Sequence, residues 1–128
     1  MAEPVWILPE IVIAIHHRQI AEHGGADGIR DAALLESALH KPKQCYAYEN
    51  PKPDLAKLAA SYAYGIALNH PFIDGNKRVA FVTCRLFLKL NGADITASPK
   101  QKFQTFIKLA AGELSEAGLT NWISQHIS

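Results

Sequence analysis

Apolar residues recur at three- and four-residue spacing along nearly the whole chain, and each periodic run is bounded by proline, glycine or a capping side chain. A chain patterned this way buries its apolar stripes only by packing helix on helix, so an all-α fold follows before any single residue is considered. Pro9 suits the first turn of a helix carrying Ile11, Val12, Ile15 and Ile20, and "HGG" from His23 to Gly25 stops it. Asp31 can cap a second helix, "DAALLESALHKP", which Pro42 is expected to end. Asp54 opens a third, in which Leu55, Leu58, Ala59, Tyr62, Ile66 and Leu68 form a surface broad enough for a central, mostly buried helix.

A fourth helix begins near Asn76 and stops at Asn91-Gly92, with Val79, Val82, Leu86 and Leu90 expected on its inner face. A fifth follows Pro99, with Phe103, Phe106, Ile107 and Ala110 in register, and a sixth turns Leu119, Trp122, Ile123 and Ile127 inward. Trp6 and Trp122 read as core or interface residues. The β signals are short: "ADIT" near Asp94, and a possible hairpin within "QCYAYENPKP". With 128 residues, 48% of them hydrophobic, and no repeat or linker, the expectation is one compact single-domain helical bundle over residues 1–128. It should have about six helices and at most a short hairpin flap.

Several function classes fall away on composition. The net charge of +1 argues against nucleic acid held by bulk positive charge. No apolar run is long enough to span a bilayer. "MAEPVWILPE" lacks the basic region and cleavage pattern of a signal peptide, so a soluble, cytoplasmic protein is expected. Cys84 lies inside an apolar helical pattern far from Cys45, which favours a buried free thiol over a disulfide.

The chemistry concentrates in "NHPFIDGNKR", from Asn69 to Arg78, where an ordinary connection between two helices would need only a turn. The helix that follows offers unpaired N–H groups and the positive end of its dipole to an anion. Gly75 permits a left-handed turn or close ligand approach, and Asn76 can cap the helix or donate to an oxyanion. Lys77 and Arg78 add two cations at the same end. Asp74 supplies one carboxylate, enough for Mg²⁺ when phosphate oxygens and water complete the shell. His70 can accept a proton near cellular pH. A base, a metal anchor and an anion cradle are the parts that phosphoryl or nucleotidyl transfer requires. Each element alone is commonplace, since "DGN" is an ordinary turn and "HP" often ends a helix; the joint spacing carries the reading.

Other candidates are weaker. "GGADGIRD" lacks the lysine and hydroxyl of a P-loop and reads as a loop leading to the Asp31 cap. His16, His17, His23, His40 and His126 form no His-x-x-x-His zinc pair and read as structural or solvated. Tyr62 and Tyr64 are expected to pack, and Tyr46 and Tyr48 to line the flap.

"HPFIDGNKR" resembles the signature loop of the Fic/Doc family, which opens His-Pro-Phe-x-Asp/Glu-Gly-Asn-Gly/Lys. "IAIHHRQIAEHGGADGIRDAALLESAL" and "FLKLNG" resemble its death-on-curing (Doc) toxin branch, so the likeness covers most of the chain. It implies the Fic/Doc bundle, with ATP and Mg²⁺ as cofactors. It implies His70 as general base for a target-protein hydroxyl, Phe72 as the loop anchor and Asp74 as the metal residue. Gly75 and Asn76 become the phosphate cradle, with Lys77 and Arg78 on the nucleotide phosphates.

The AMP-transferring branch carries a second arginine where this chain has Phe81, and glycine where it has Lys77. On a helix that arginine would share a face with Arg78. Both departures match the Doc branch, whose members are thought to hold ATP reversed and transfer the γ-phosphate. The nearest approach to the family's inhibitory segment is "CYAYEN", with Cys45 where a hydroxyl residue belongs, which reads as chance. A small Phd-like antitoxin is therefore the implied brake. The implied activity is that of a bacterial type II toxin phosphorylating a cellular protein such as elongation factor Tu. AMP transfer and a catalytically idle protein-binding module are the alternatives.

Overall fold

The computed structural model describes residues 3–128. Six helices follow in chain order: α1 Pro9–His23, α2 Ala32–Tyr48, α3 Leu55–Asn69, α4 Asn76–Leu90, α5 Pro99–Ala110 and α6 Glu116–His126. The expected all-α bundle is therefore found. Asp31 and Asp54 cap α2 and α3, accepting from the N–H groups of Leu34 at 3.0 Å and Lys57 at 2.9 Å. Ser98 and Gln101 close a reciprocal capping box on α5.

The third helix is the axis of the molecule. It packs against α2, α4, α5 and α6, while α1 reaches the core through α4. Leu58, Tyr62 and Ile66 are fully buried along it, as its broad apolar surface requires. Small residues set its distance from α2: a Cβ added at Gly65 would stand 3.0 Å from the Ala38 Cβ. Tyr62 buries its ring against Phe87, and its hydroxyl accepts from the Ile7 N–H at 3.2 Å, which ties down the segment before α1.

Pro42 does not end α2. The helix continues to Tyr48 with Pro42 buried inside it. An interior proline costs roughly 3 kcal/mol through its lost bond and ring clash. Burial of Leu35, Ala38, Leu39 and Pro42 on the face toward α3 offsets that cost. The expected hairpin in "QCYAYENPKP" is consequently absent, because its first half is the last turns of α2. Among the described residues the only β pairings are two isolated bridges, Ile29 with Phe72 and Ile95 with Ile127. The second uses the "ADIT" signal to fasten the chain end: the Thr96 N–H donates to the His126 carbonyl and the Ser128 N–H to that of Asp94.

The inner faces of the outer helices also differ from the simple stripes. On α4, Val79, Ala80, Thr83, Cys84, Phe87 and Leu88 are buried, while Val82 and Leu86 are only partly covered and Leu90 is 46% exposed. The reason is its position among α1, α3 and α5, which covers more than one side of it. On α5, Phe106 and Leu109 are buried but Phe103 and Ile107 face outward. On α1, Val12 and His16 are buried, whereas Ile11 is exposed. Cys84 is a buried free thiol, as expected, and burial pushes it up to about 12.

Candidate active site

Helix α3 ends at Asn69, and His70 follows in the left-handed conformation at φ 49° and ψ 57°. It is the one non-glycine residue with positive φ among those described. Such a backbone costs a non-glycine residue about 1 kcal/mol or more and needs outside support. Arg30 supplies it, donating from Nε to the His70 carbonyl at 2.6 Å and from Nη2 to the Asn69 carbonyl at 2.8 Å. A guanidinium at a helix C-terminus also meets the negative end of the dipole.

The connection between α1 and α2, residues 24–31, runs alongside the loop and holds it. The Pro71 carbonyl accepts from the N–H groups of Arg30 at 2.7 Å and Asp31 at 3.0 Å, and the Ile73 N–H donates to the Gly28 carbonyl at 3.1 Å. The Asp74 Oδ2 accepts from the Ala26 N–H at 2.9 Å. Gly25 must be small and left-handed, since a Cβ there would stand 3.3 Å from the Asp74 Cβ and its φ is 112°.

Beneath the loop, Phe72 is fully buried and stacks on His16, with ring centroids 3.9 Å apart and planes 7° from parallel. Asn76 closes the loop on itself: its Oδ1 accepts from the Phe72 N–H at 3.0 Å and its Nδ2 donates to the Phe72 carbonyl at 2.9 Å. Asn76 is thus the first residue of α4 rather than its cap, which is Gly75 at φ 81°. Its side chain is spent on the loop, and what it offers an anion is its backbone N–H. The first helical bond runs from the Val79 N–H to the Gly75 carbonyl, so the N–H groups of Asn76, Lys77 and Arg78 lack partners inside the helix.

His70, Asp74 and Arg78 are exposed around this rigid frame, and Lys77 is half-buried with its ammonium 5.5 Å from the Phe103 ring centroid. Beside them lies a groove of about 410 Å³ between the end of α1, α4 and α5. Lys77, Arg78, Arg85 and Lys102 make it cationic, over an apolar floor of Phe81 and Phe106. Among the described residues no group of three or more His, Cys, Asp or Glu side chains is arranged to hold a metal ion. Asp74 is exposed and presents a single carboxylate, a donor that fits Mg²⁺ when phosphate oxygens and water complete the shell.

The sequence singled out His70, Phe72 and the run Asp74 to Arg78, but it missed the residues that hold them. His16, Gly25, Ala26 and Arg30 come from α1 and the following connection, which read as an ordinary loop. The available signal was the glycine-rich "GGADGIRD", whose Gly25 and Gly28 have positive φ where the backbone lies against Asp74 and Ile73.

The Fic/DOC family model matches residues 6–88, which include the loop and both segments that brace it. The chain is 34% identical over 115 residues to "Protein kinase doc" of Escherichia phage P1, covering 90% of each. It is 35% identical over 74 residues to "Toxin Doc" of Mycolicibacterium smegmatis, covering 58% of this chain and 57% of that one. With more than half its length matched and the signature loop at the head of α4, the chain belongs to the Fic/DOC family.

Proposed function

We propose that this chain is a Doc-type toxin that uses Mg-ATP to phosphorylate a hydroxyl of a cellular protein and so arrests growth. The observation that carries the choice of phosphate over AMP is Phe81. It packs edge-on against Phe106, ring centroids 5.0 Å apart, where the AMP-transferring branch has its second arginine. The similarity to a relative named as a protein kinase supports the same choice.

In this reading His70 accepts the proton of the attacking hydroxyl as the new oxygen–phosphorus bond forms. The bond between the γ-phosphorus and its bridging oxygen breaks, and ADP leaves. The N–H groups at the head of α4, with Lys77 and Arg78, grip the phosphates. Asp74 would hold Mg²⁺, which when bound supplies charge neutralisation across the phosphate oxygens. Positioning and charge stabilisation provide most of the catalysis in such transfers, which suits a loop fastened at both ends.

The brake in this reading is a small Phd-like antitoxin acting from outside the chain. The groove beside the loop, apolar beneath and ringed by Lys77, Arg78 and Lys102, suits an acidic amphipathic segment that folds as it binds. A translation factor such as elongation factor Tu is the proposed target, which places the protein in the bacterial cytoplasm.

The test uses ATP labelled separately at the α and γ positions, with wild-type protein and His70→Asn. Asparagine tolerates the left-handed backbone, so that variant should fold. Label should enter the target from the γ position only, and the variant should lose roughly a hundred- to ten-thousand-fold in rate. Label from the α position would establish AMP transfer, and none from either would leave a binding module.

A further inference from the structure

His16 lies on α1, outside the signature loop, yet it is 98% covered and touches that loop twice. Its ring stacks on Phe72, and its Nε2 is 2.8 Å from the Asp74 carbonyl oxygen. A carbonyl only accepts, so Nε2 carries a proton and donates it. The other ring nitrogen, Nδ1, is 3.6 Å from Asp27 Oδ1, too far for a hydrogen bond, and Asp27 instead pairs with His17 at 2.9 Å. The directed contact of His16 is therefore with the loop.

The consequence lies on the far side of that peptide. The Asp74–Gly75 bond is trans, so its N–H points opposite to its carbonyl. With the carbonyl turned inward to the buried His16, the Gly75 N–H points away from that ring. Gly75 leaves this peptide free to rotate: it has φ 81°, and a Cβ there would lie 3.9 Å from His16 Nε2.

We infer that His16 is a positioning residue of the anion cradle, fixing the Asp74–Gly75 peptide so that the Gly75 N–H joins the head of α4 in gripping phosphate. The inference rests on the phosphoryl-transfer reading, because it names the residue that orients one donor of that site. It separates His16 from a mere packing residue, since an aromatic ring without the donor would keep the stack on Phe72 and leave the peptide free.

Two substitutions and one measurement on the wild type test this. His16→Phe keeps the stack on Phe72 and removes the donor, while His16→Gln places an amide N–H near the position of Nε2. Binding of a non-hydrolysable ATP analogue with Mg²⁺ is measured by calorimetry, alongside thermal melting and steady-state kinetics. His16→Phe should melt cooperatively but bind about tenfold more weakly, with KM for ATP raised more than kcat is lowered. His16→Gln should recover most of that loss. Equal binding by wild type and His16→Phe, or no recovery in His16→Gln, would overturn the inference and leave the proposed reaction standing. A wild type that binds no Mg-nucleotide would overturn both. Should His16→Phe fail to fold, magnetic resonance of the wild type decides. Inorganic pyrophosphate should shift the Gly75 amide, and isotope-labelled His16 should carry its proton on Nε2. An unshifted Gly75 or a proton on Nδ1 alone would sink the inference.

Discussion

Arg30 and His70 stand 40 residues apart in sequence, yet the Arg30 Nε lies 2.6 Å from the His70 carbonyl oxygen. The same guanidinium reaches the Asn69 carbonyl, so one side chain both ends α3 and holds His70 in its left-handed backbone. These carbonyls are exposed, so losing the contacts should cost little stability, within about 1 kcal/mol. Misplacing a catalytic group by 1 Å can cost about a hundredfold in rate. Arg30→Met should therefore lower kcat by roughly ten- to a hundredfold while leaving the melting temperature nearly unchanged. Kinetics beside a thermal melt checks this, and a variant with wild-type kcat would show that His70 holds its place without Arg30.

The proposed reaction gives Asp74 a second purpose beside its contact with Ala26, and a single substitution separates the two. Its Oδ2 accepts the Ala26 N–H, and its charge is available to a cation. Asp74→Asn keeps an oxygen for Ala26 and removes the charge. The loop should stay closed, the melting temperature should hold within a few degrees, and Mg²⁺-dependent activity should fall sharply with poor rescue by excess Mg²⁺. Magnesium titration of the activity is the measurement. Unchanged magnesium dependence would reduce Asp74 to a turn residue.

A pH effect is expected away from the active site. The Arg85 guanidinium meets Asp94 in two parallel bonds, at 3.0 and 3.2 Å, and helps hold the Asp94 carboxyl down at about 2 from an ordinary 3.8. A carboxyl depressed in the folded state stabilises the fold fully above its unfolded value, and that stabilisation is lost as pH falls through the folded one. Denaturant stability should accordingly drop as pH falls from about 4 to about 2, by a modest amount because both groups are partly solvated. Asp94→Asn should be less stable near neutrality and show a shallower acid loss. Equal acid slopes in the two proteins would show that the pair contributes nothing.

Most of the helices were readable because their boundary signals act on their immediate neighbours: Pro9, Asp31, Asp54, Pro99 and the glycine stops at Gly24 and Gly92. Pro42 misled because its effect depends on what covers it, and Ala38 against Gly65 is a contact between residues distant in sequence. The inner face of α4 misled for a related reason, since a helix enclosed by three others has no single stripe. The site divides in the same way. His70 to Arg78 is a contiguous string whose chemistry can be read in place. His16 and Arg30 act across 58 and 40 residues and acquire their roles only from the fold.

The choice of phosphate over AMP can be challenged from the protein side. Phe81 follows Arg78 by one turn of α4, so an arginine there would lie beside the same groove and could grip the same phosphates. Lys77 puts a cation and its stem at the mouth of that groove, over Phe103. Lys77→Gly with Phe81→Arg should therefore weaken γ-phosphate transfer and allow a detectable share of AMP transfer. The change also carries a structural cost. Phe81 packs edge-on against Phe106, and removing that contact should destabilise the protein by about 1–3 kcal/mol. Glycine in the first turn of α4 adds up to about 1 kcal/mol. The single substitution Phe81→Leu controls for this, since it disturbs the packing without adding charge. If Phe81→Leu keeps γ-transfer while the double variant loses it at equal folded fraction, the phosphate grip sets the reaction. If both variants lose activity in proportion to stability, Phe81 acts through the core alone.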